Sequence, residues 1–296
     1  MPRDLSDVLH FFLPELGGDL ESSPAFDRPF VRRRETTPGA AARRSAPARP
    51  VETSRLPLSV LGVPIGERDV VHAAYTWNLA REIIRLGGSS TIVTPRADRD
   101  SPLWSTHDPA GLADVEVVYS AAEGLTGLRR HAERVARERG RTAGGGIVFA
   151  RIPPAWLTEP SPEDEKPDGF GRTPSDDPIR WLLTFTSSRP REVDSLFERI
   201  QSWVRGRPGL EIGVTVHGVH QIEAAREAFD GLARSCDERL GLPLASYGLL
   251  VDDLDLYRAI AAGRPMHAPE RETPAARALT DVARLLYEDA RSRVLG

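Results

Sequence analysis

Lysine is almost missing from this chain. Of its 39 basic residues 38 are Arg, and the one Lys, Lys166, sits in the acidic polar stretch SPEDEKPDGFG. No lysine is therefore at hand for a phosphate-binding loop, a Schiff base or a kinase-type phosphate clamp. Cysteine is as scarce: Cys236 alone excludes an internal disulfide and argues against a cysteine-built zinc centre. Long apolar runs are absent too. Nothing approaches the roughly 18 to 20 residues that cross a bilayer, and the N-terminus is acidic and amphipathic where a secretory signal would be basic and then continuously apolar. The expectation is a cytoplasmic protein with no membrane contact. A net charge of -4 over 296 residues places no electrostatic demand for nucleic acid or an anionic surface on the chain.

What is present is enough apolar residue, 40% of the total, for one good-sized core. Residues 1–20 contain DLSDVLHFFLPEL, in which Leu5, Val8, Leu9, Phe12 and Leu13 recur at helical spacing before Pro14 stops the pattern. This short amphipathic helix is a candidate partner-binding element. Residues 21–55 turn to Pro, Ala, Ser and Arg, with too few large apolar side chains to offset the entropy of ordering, and read as a disordered basic linker. From residue 56 to 296 strand-like runs alternate with helical ones. The strands are expected at 57–63, 90–95, 115–121, 146–152, 179–187, 210–219 and 244–251. Helices are expected at 69–87, 122–139, 190–205, 221–240 and 252–262, with a closing helix capped by Thr273 and started by Pro274. Several strands are apolar on both faces, as parallel strands covered by helices must be. The pattern implies a single main α/β domain with a doubly wound, mostly parallel sheet. The acidic, proline-rich stretch 158–178 reads as a long excursion.

In such a sheet the loop after the first strand is the prime ligand site. Here it lies within LSVLGVPIGERDVVHAAYTWNLA, Leu58 to Ala80. That stretch resembles the first loop of the MinD/ParA family of P-loop ATPases, FlhG-like members included, which runs GKGGVGKT and is followed by a conserved NLA. Asn78, Leu79 and Ala80 match the NLA, and Gly87 or Gly88 matches a later glycine. The likeness continues in GLPLASYGLLVDDLDLYRAIAAGRPMHAPERETPAARALTDVARLL, where Gly248, Asp252 or Asp253, Ala259, Arg264, Pro265, Pro274, Ala275 and Ala276 follow the family's closing pattern.

The resemblance implies a P-loop NTPase fold of the MinD (SIMIBI) type over roughly residues 56–290, but with a degenerate phosphate site. His72 falls where the family has its phosphate-gripping lysine and Ala73 where it has the magnesium-binding hydroxyl. Arg151 stands at the place of the metal-supporting aspartate, Glu67 at the second lysine, and Arg68, Asp69 and Val71 replace loop glycines, leaving Gly66. Glu67 and Asp69 add negative charge where a triphosphate would sit, and each like-charge contact at roughly 5 Å and an effective dielectric near 20 opposes binding by about 3 kcal/mol before screening. The expectation is a non-catalytic pseudo-ATPase without cofactor or metal, acting as an interaction or positioning scaffold for a protein partner. A homologous ATPase and a homodimer are both compatible with the family. The alternative is an atypical ATPase that holds ATP through His72 and Arg151, since Arg forks bind phosphate well. Remaining candidates have blander readings: Gly144 to Gly146 as a turn, His217 and His220 as structural or solvent-facing, and Asp252, Asp253 and Asp255 as the acidic first turn of a helix. Nucleic-acid contact through the linker arginines is the weakest of the functional readings.

Overall fold

The computed structural model describes residues 57–96, 103–104, 115–140, 145–158, 179–205, 207, 209–254, 257–258 and 273–295. The expected N-terminal helix with Leu5, Val8, Leu9, Phe12 and Leu13, the linker and nearly all of the 158–178 excursion lie outside them. Most of the expected 252–262 helix does too. Among the described residues seven strands and six helices follow one another: β1 (Ser59–Pro64), α1 (Val70–Arg85), β2 (Ser89–Pro95), β3 (Glu116–Ser120), α2 (Leu125–Arg139), β4 (Gly146–Ile152), a single turn α3 (Ala155–Thr158), β5 (Trp181–Ser187), α4 (Pro190–Val204), β6 (Glu211–Val219), α5 (Ile222–Leu240), β7 (Leu244–Val251) and α6 (Pro274–Leu295). All described strand pairs are parallel, in the order β3-β2-β4-β1-β5-β6-β7. β1 is thus central, and the chain runs outward from it to one edge through β2 and β3 and then, after β4, to the other through β5, β6 and β7.

Burial on both faces explains the strand composition. Every residue of β4 and of β5 is buried, which a sheet sandwiched between helix layers requires. α1 and α6 pack on each other and on the sheet, while α4 and α5 pack together elsewhere on it. A buried carboxylate ties the first pair: Glu82, 2% exposed, accepts from Arg85 Nε at 2.9 Å and from Thr280 Oγ1 at 3.0 Å. The helix ends follow the sequence signals. Thr273 Oγ1 accepts from the Ala276 amide at 3.1 Å, as its cap position predicts. Gly241 closes α5 in the left-handed conformation at φ 61°. Cys236 is buried in α5, and burial pushes its thiol up to about 11, the behaviour of an inert core residue.

Gly145 and Gly146 form the turn into β4 that their position suggests, and Gly146 has a steric reason to be glycine. A Cβ there would lie 1.9 Å from the carbonyl oxygen of Ser89, at the point where β4 starts alongside β2. Gly146→Ala is expected to lower unfolding free energy by on the order of 3 kcal/mol. Urea denaturation followed by circular dichroism checks it, and a loss below about 1 kcal/mol would contradict the close approach.

Candidate functional site

The loop between β1 and α1 is short, hydrogen-bonded within itself and tied to the end of β4. Ile65 donates to the Ile152 carbonyl at 3.1 Å, Asp69 N to Gly66 O at 3.2 Å and Val70 N to Arg68 O at 3.0 Å. Gly66 has no positive φ, and a Cβ on it would meet only Asp69 Cβ at 3.9 Å, an ordinary contact. The segment is therefore a turn that side chains could line, not a nest of glycine amides.

Asp69 is the N-cap of α1. Its Oδ1 accepts from the His72 backbone amide at 3.2 Å, and its Oδ2 lies 2.6 Å from His72 Nδ1. One carboxylate thus satisfies a first-turn donor of the helix and fixes a proton on the imidazole. Burial alone would raise the pKa of Asp69, but the hydrogen bonds and positive charge of His72 outweigh it and leave the carboxyl below its usual range.

His72 in turn joins a ring cluster. Its Nε2 lies 3.3 Å from His217 Nε2, and its ring stacks on Phe185 at 5.1 Å between centroids. Tyr75, one turn further along α1, packs against Phe185 at 5.6 Å and His217 at 5.5 Å. Since Asp69 holds a proton on Nδ1, the contact between the two histidines needs one proton between them; a second would set two N–H groups face to face. The environment agrees. Burial, with the charge of His72 added, lowers His217 to about 4. Burial likewise raises the Tyr75 hydroxyl well above its ordinary value, helped by Tyr257 and Asp252.

The other predicted residues separate from this cluster. Ala73 is fully buried at the foot of α1, its amide bonded to Asp69 O at 3.1 Å, and its methyl offers a metal nothing. Arg151 is 2% exposed within β4, in register with Val63, so its guanidinium is not presented to solvent. Asn78 donates to Ala74 O at 2.8 Å inside α1, a scaffold role. His220 is exposed and its Nε2 lies 2.8 Å from Asp252, which precedes the helical residues after β7 and pairs across the rim. Among the described residues no three His, Cys, Asp or Glu side chains converge as a metal site, and no helix is long and apolar enough to span a membrane.

Sequence reasoning missed Tyr75 and Phe185. The first carried a signal, standing three residues after His72 on the same helical face. The second shows only once β5 and β6 are in register, Ser187 opposite His217 with Phe185 two residues back on the same face.

No protein-family model and no curated protein matches the sequence. Solved structures do match it in three dimensions. The MinD cell division protein of Aquifex aeolicus superposes with a TM-score of 0.50 at 14% identity, over 78% of this chain and 97% of that one. This is a MinD-type fold. A MinC:MinD cell division protein complex from the same organism matches at a TM-score of 0.50 and 12% identity, over 78% of this chain and 96% of its own. In the MinD-type frame the Asp69–His72 pair occupies the loop that opens α1, at the carboxyl end of the central strand.

The cluster carries a pH signature. His217 has a folded pKa of about 4 against an ordinary 6.5, so as pH falls the unfolded chain takes up this proton first. Stability is unaffected by His217 above about pH 6.5 and declines progressively down to about pH 4. Asp69, depressed from 3.8, loses its contribution only below that value. Between pH 7 and pH 5 the wild-type protein is expected to lose about 1–2 kcal/mol more stability than His217→Gln. Parallel urea titrations at the two pH values read the difference, and equal losses in both proteins would contradict a neutral, half-buried His217.

Proposed function

We propose that this chain is a MinD/ParA-like pseudo-ATPase: a non-catalytic scaffold that acts by binding and positioning another protein. The observation that carries this reading is Asp69. A helix N-terminus at the end of a central parallel strand attracts anions because its first amides are unsatisfied and its dipole is positive there. In this chain an internal carboxylate accepts from one of those amides and is held by His72. A triphosphate would have to displace it or share the position with it, and like charges at such distances repel by about 3 kcal/mol per pair before screening.

The neighbouring substitutions support the same reading. Ala73 has no hydroxyl for magnesium, His72 directs both ring nitrogens to protein groups, and Arg151 is enclosed. Loss of phosphate grip and metal ligand together removes what phosphoryl transfer relies on. No cofactor is assigned. The solved MinC:MinD complex pairs a MinD with another protein; by analogy the partner here is a protein, either a homologous ATPase or a second copy of this chain. The amphipathic stretch with Leu5, Val8, Leu9, Phe12 and Leu13 is the proposed contact.

Isothermal titration of the intact protein with millimolar ATP or ADP and magnesium is expected to give no heat of binding. Micromolar affinity that His72→Ala or Arg151→Ala abolishes would replace this reading with that of an atypical ATPase. Pull-down with the full chain and with residues 1–20 removed is expected to retain the partner only in the first case.

A further inference from the structure

The helix that opens on Asp69 carries an apolar outer face. Val70, Ala74, Trp77, Arg81 and Ile84 recur at spacings of four, three, four and three residues, which sets them in one stripe along α1. The face behind it, with Ala73, Leu79 and Ile83, is fully buried. The stripe itself is only partly covered, and Val70, 40% exposed, is one of two large hydrophobic residues left exposed among the described residues. The exposed positions of α4, by contrast, are polar: Arg191, Asp194, Ser195 and Glu198. Arg81 is the charge near the middle of the stripe. Its guanidinium carbon stands 5.8 Å from the centroid of the Trp77 ring, and its Nη1 is shielded from solvent without a hydrogen-bond partner. A charged donor held this way lacks the acceptor that would offset its desolvation, and Trp and Arg are the residue types that most often anchor protein interfaces.

Spacing, charge and reach select the occupant. Leu5, Leu9 and Phe12 repeat the four-three rhythm of the α1 stripe before Pro14 ends the pattern, and two apolar stripes of that rhythm are what a helix-to-helix seam needs. Residues 1–20 hold four carboxylates, Asp4, Asp7, Glu15 and Asp19, against the single Arg3. An acidic apolar segment is the complement of an apolar stripe built around an arginine. It is also within reach: at coil dimensions residues 21–56 span about 30–35 Å, more than the roughly 24 Å length of α1. We propose that the outer stripe of α1 is the docking surface for the N-terminal segment of the same chain. Leu5, Leu9 and Phe12 pack over Val70, Ala74 and Trp77, and a carboxylate of the segment supplies the acceptor for Arg81. Docking withholds the segment from the protein partner assigned to it above; that consequence rests on the scaffold reading, and the contact itself does not.

Cysteine pairs introduced into the full chain test the contact with no partner or nucleotide present, so its failure and a failure of the scaffold reading are separate results. Native Cys236 is buried, with its thiol pushed up to about 11, and does not compete. The pair Ser6→Cys with Ala74→Cys is compared with Ser6→Cys with Ser195→Cys, whose second position is exposed on α4. The tether gives both pairs a background of chance collision. Under mild oxidation, followed on non-reducing gels, the α1 pair is expected to close an intramolecular disulfide about tenfold or more faster than the α4 pair. Arg81→Glu, which reverses the charge on a half-buried side chain, is expected to slow closure of the α1 pair about tenfold, as loss of one charge-assisted contact implies. Trp77→Ala is expected to slow it as well, and Arg81→Glu alone decides if Trp77→Ala does not fold. The proposal is overturned if the two pairs close at the same rate, if Arg81→Glu leaves the α1 pair unchanged, or if the disulfide forms only between two molecules, which would give the stripe to a second copy.

Discussion

The carboxyl rim of this domain is organised by a single carboxylate on a helix end. Asp69 caps α1 and orients His72, and His72 then meets Phe185 from β5 and His217 from β6. Remove the charge at position 69 and the tautomer of His72 is no longer fixed, the histidine pair loses its proton order, and the first turn of α1 regains an unsatisfied amide. Three elements far apart in sequence therefore depend on one local interaction. Its strength comes from partial burial, which weakens solvent screening, and from the helix dipole, which favours a negative group there.

The strand plan was legible because a parallel sheet covered on both faces demands nearly continuous apolar runs, and these were plain in GIVFARI and WLLTFTS. Helix ends were legible where chemistry marks them, as at Thr273 and Gly241. The contact between Asp69 and His72 is local, three residues along the chain, and so lies within reach of a sequence reading. The ring cluster was not. It depends on β6, where pairing with β7 shifts register between Val214 and Val216 and again between Val216 and Val219, and where Gly218 adopts φ 64°. Such irregularities re-aim side chains, so counting alternate residues along VTVHGV could not say which way His217 faces. His217 consequently read as structural or solvent-facing from sequence, whereas in the fold it is the second half of a histidine pair.

The same strand explains why two such different environments coexist. At its amino end β6 contributes Glu211 and Gly213 to a cavity bounded by carboxylates and an indole; at its carboxyl end it contributes His217 to a closed aromatic rim. The amino-end set is held by Trp181, Tyr247 and Asp289, which bridge β5, β7 and α6 through two hydrogen bonds. Neither arrangement borrows a side chain from the other. β4 and β1 form the middle of the sheet, and Leu61, Val63 and Phe149 there are fully buried.

The scaffold reading proposed above raises the question of how this fold would keep its shape without a nucleotide. A ligand that binds only the folded state stabilises it by an amount set by its concentration relative to its dissociation constant, about 2.7 kcal/mol at a hundredfold excess. Under the proposed pseudo-ATPase reading that term is absent, and the amides at the start of α1 have to be satisfied from within the chain. Here the Asp69 side chain supplies an acceptor for the first turn of α1, worth typically about 1 kcal/mol, and the His72, Tyr75 and Phe185 rings pack together beside it. On that reading Asp69, which would repel a phosphate, is also the group that satisfies the first turn of α1 and holds His72, so both properties come from one side chain.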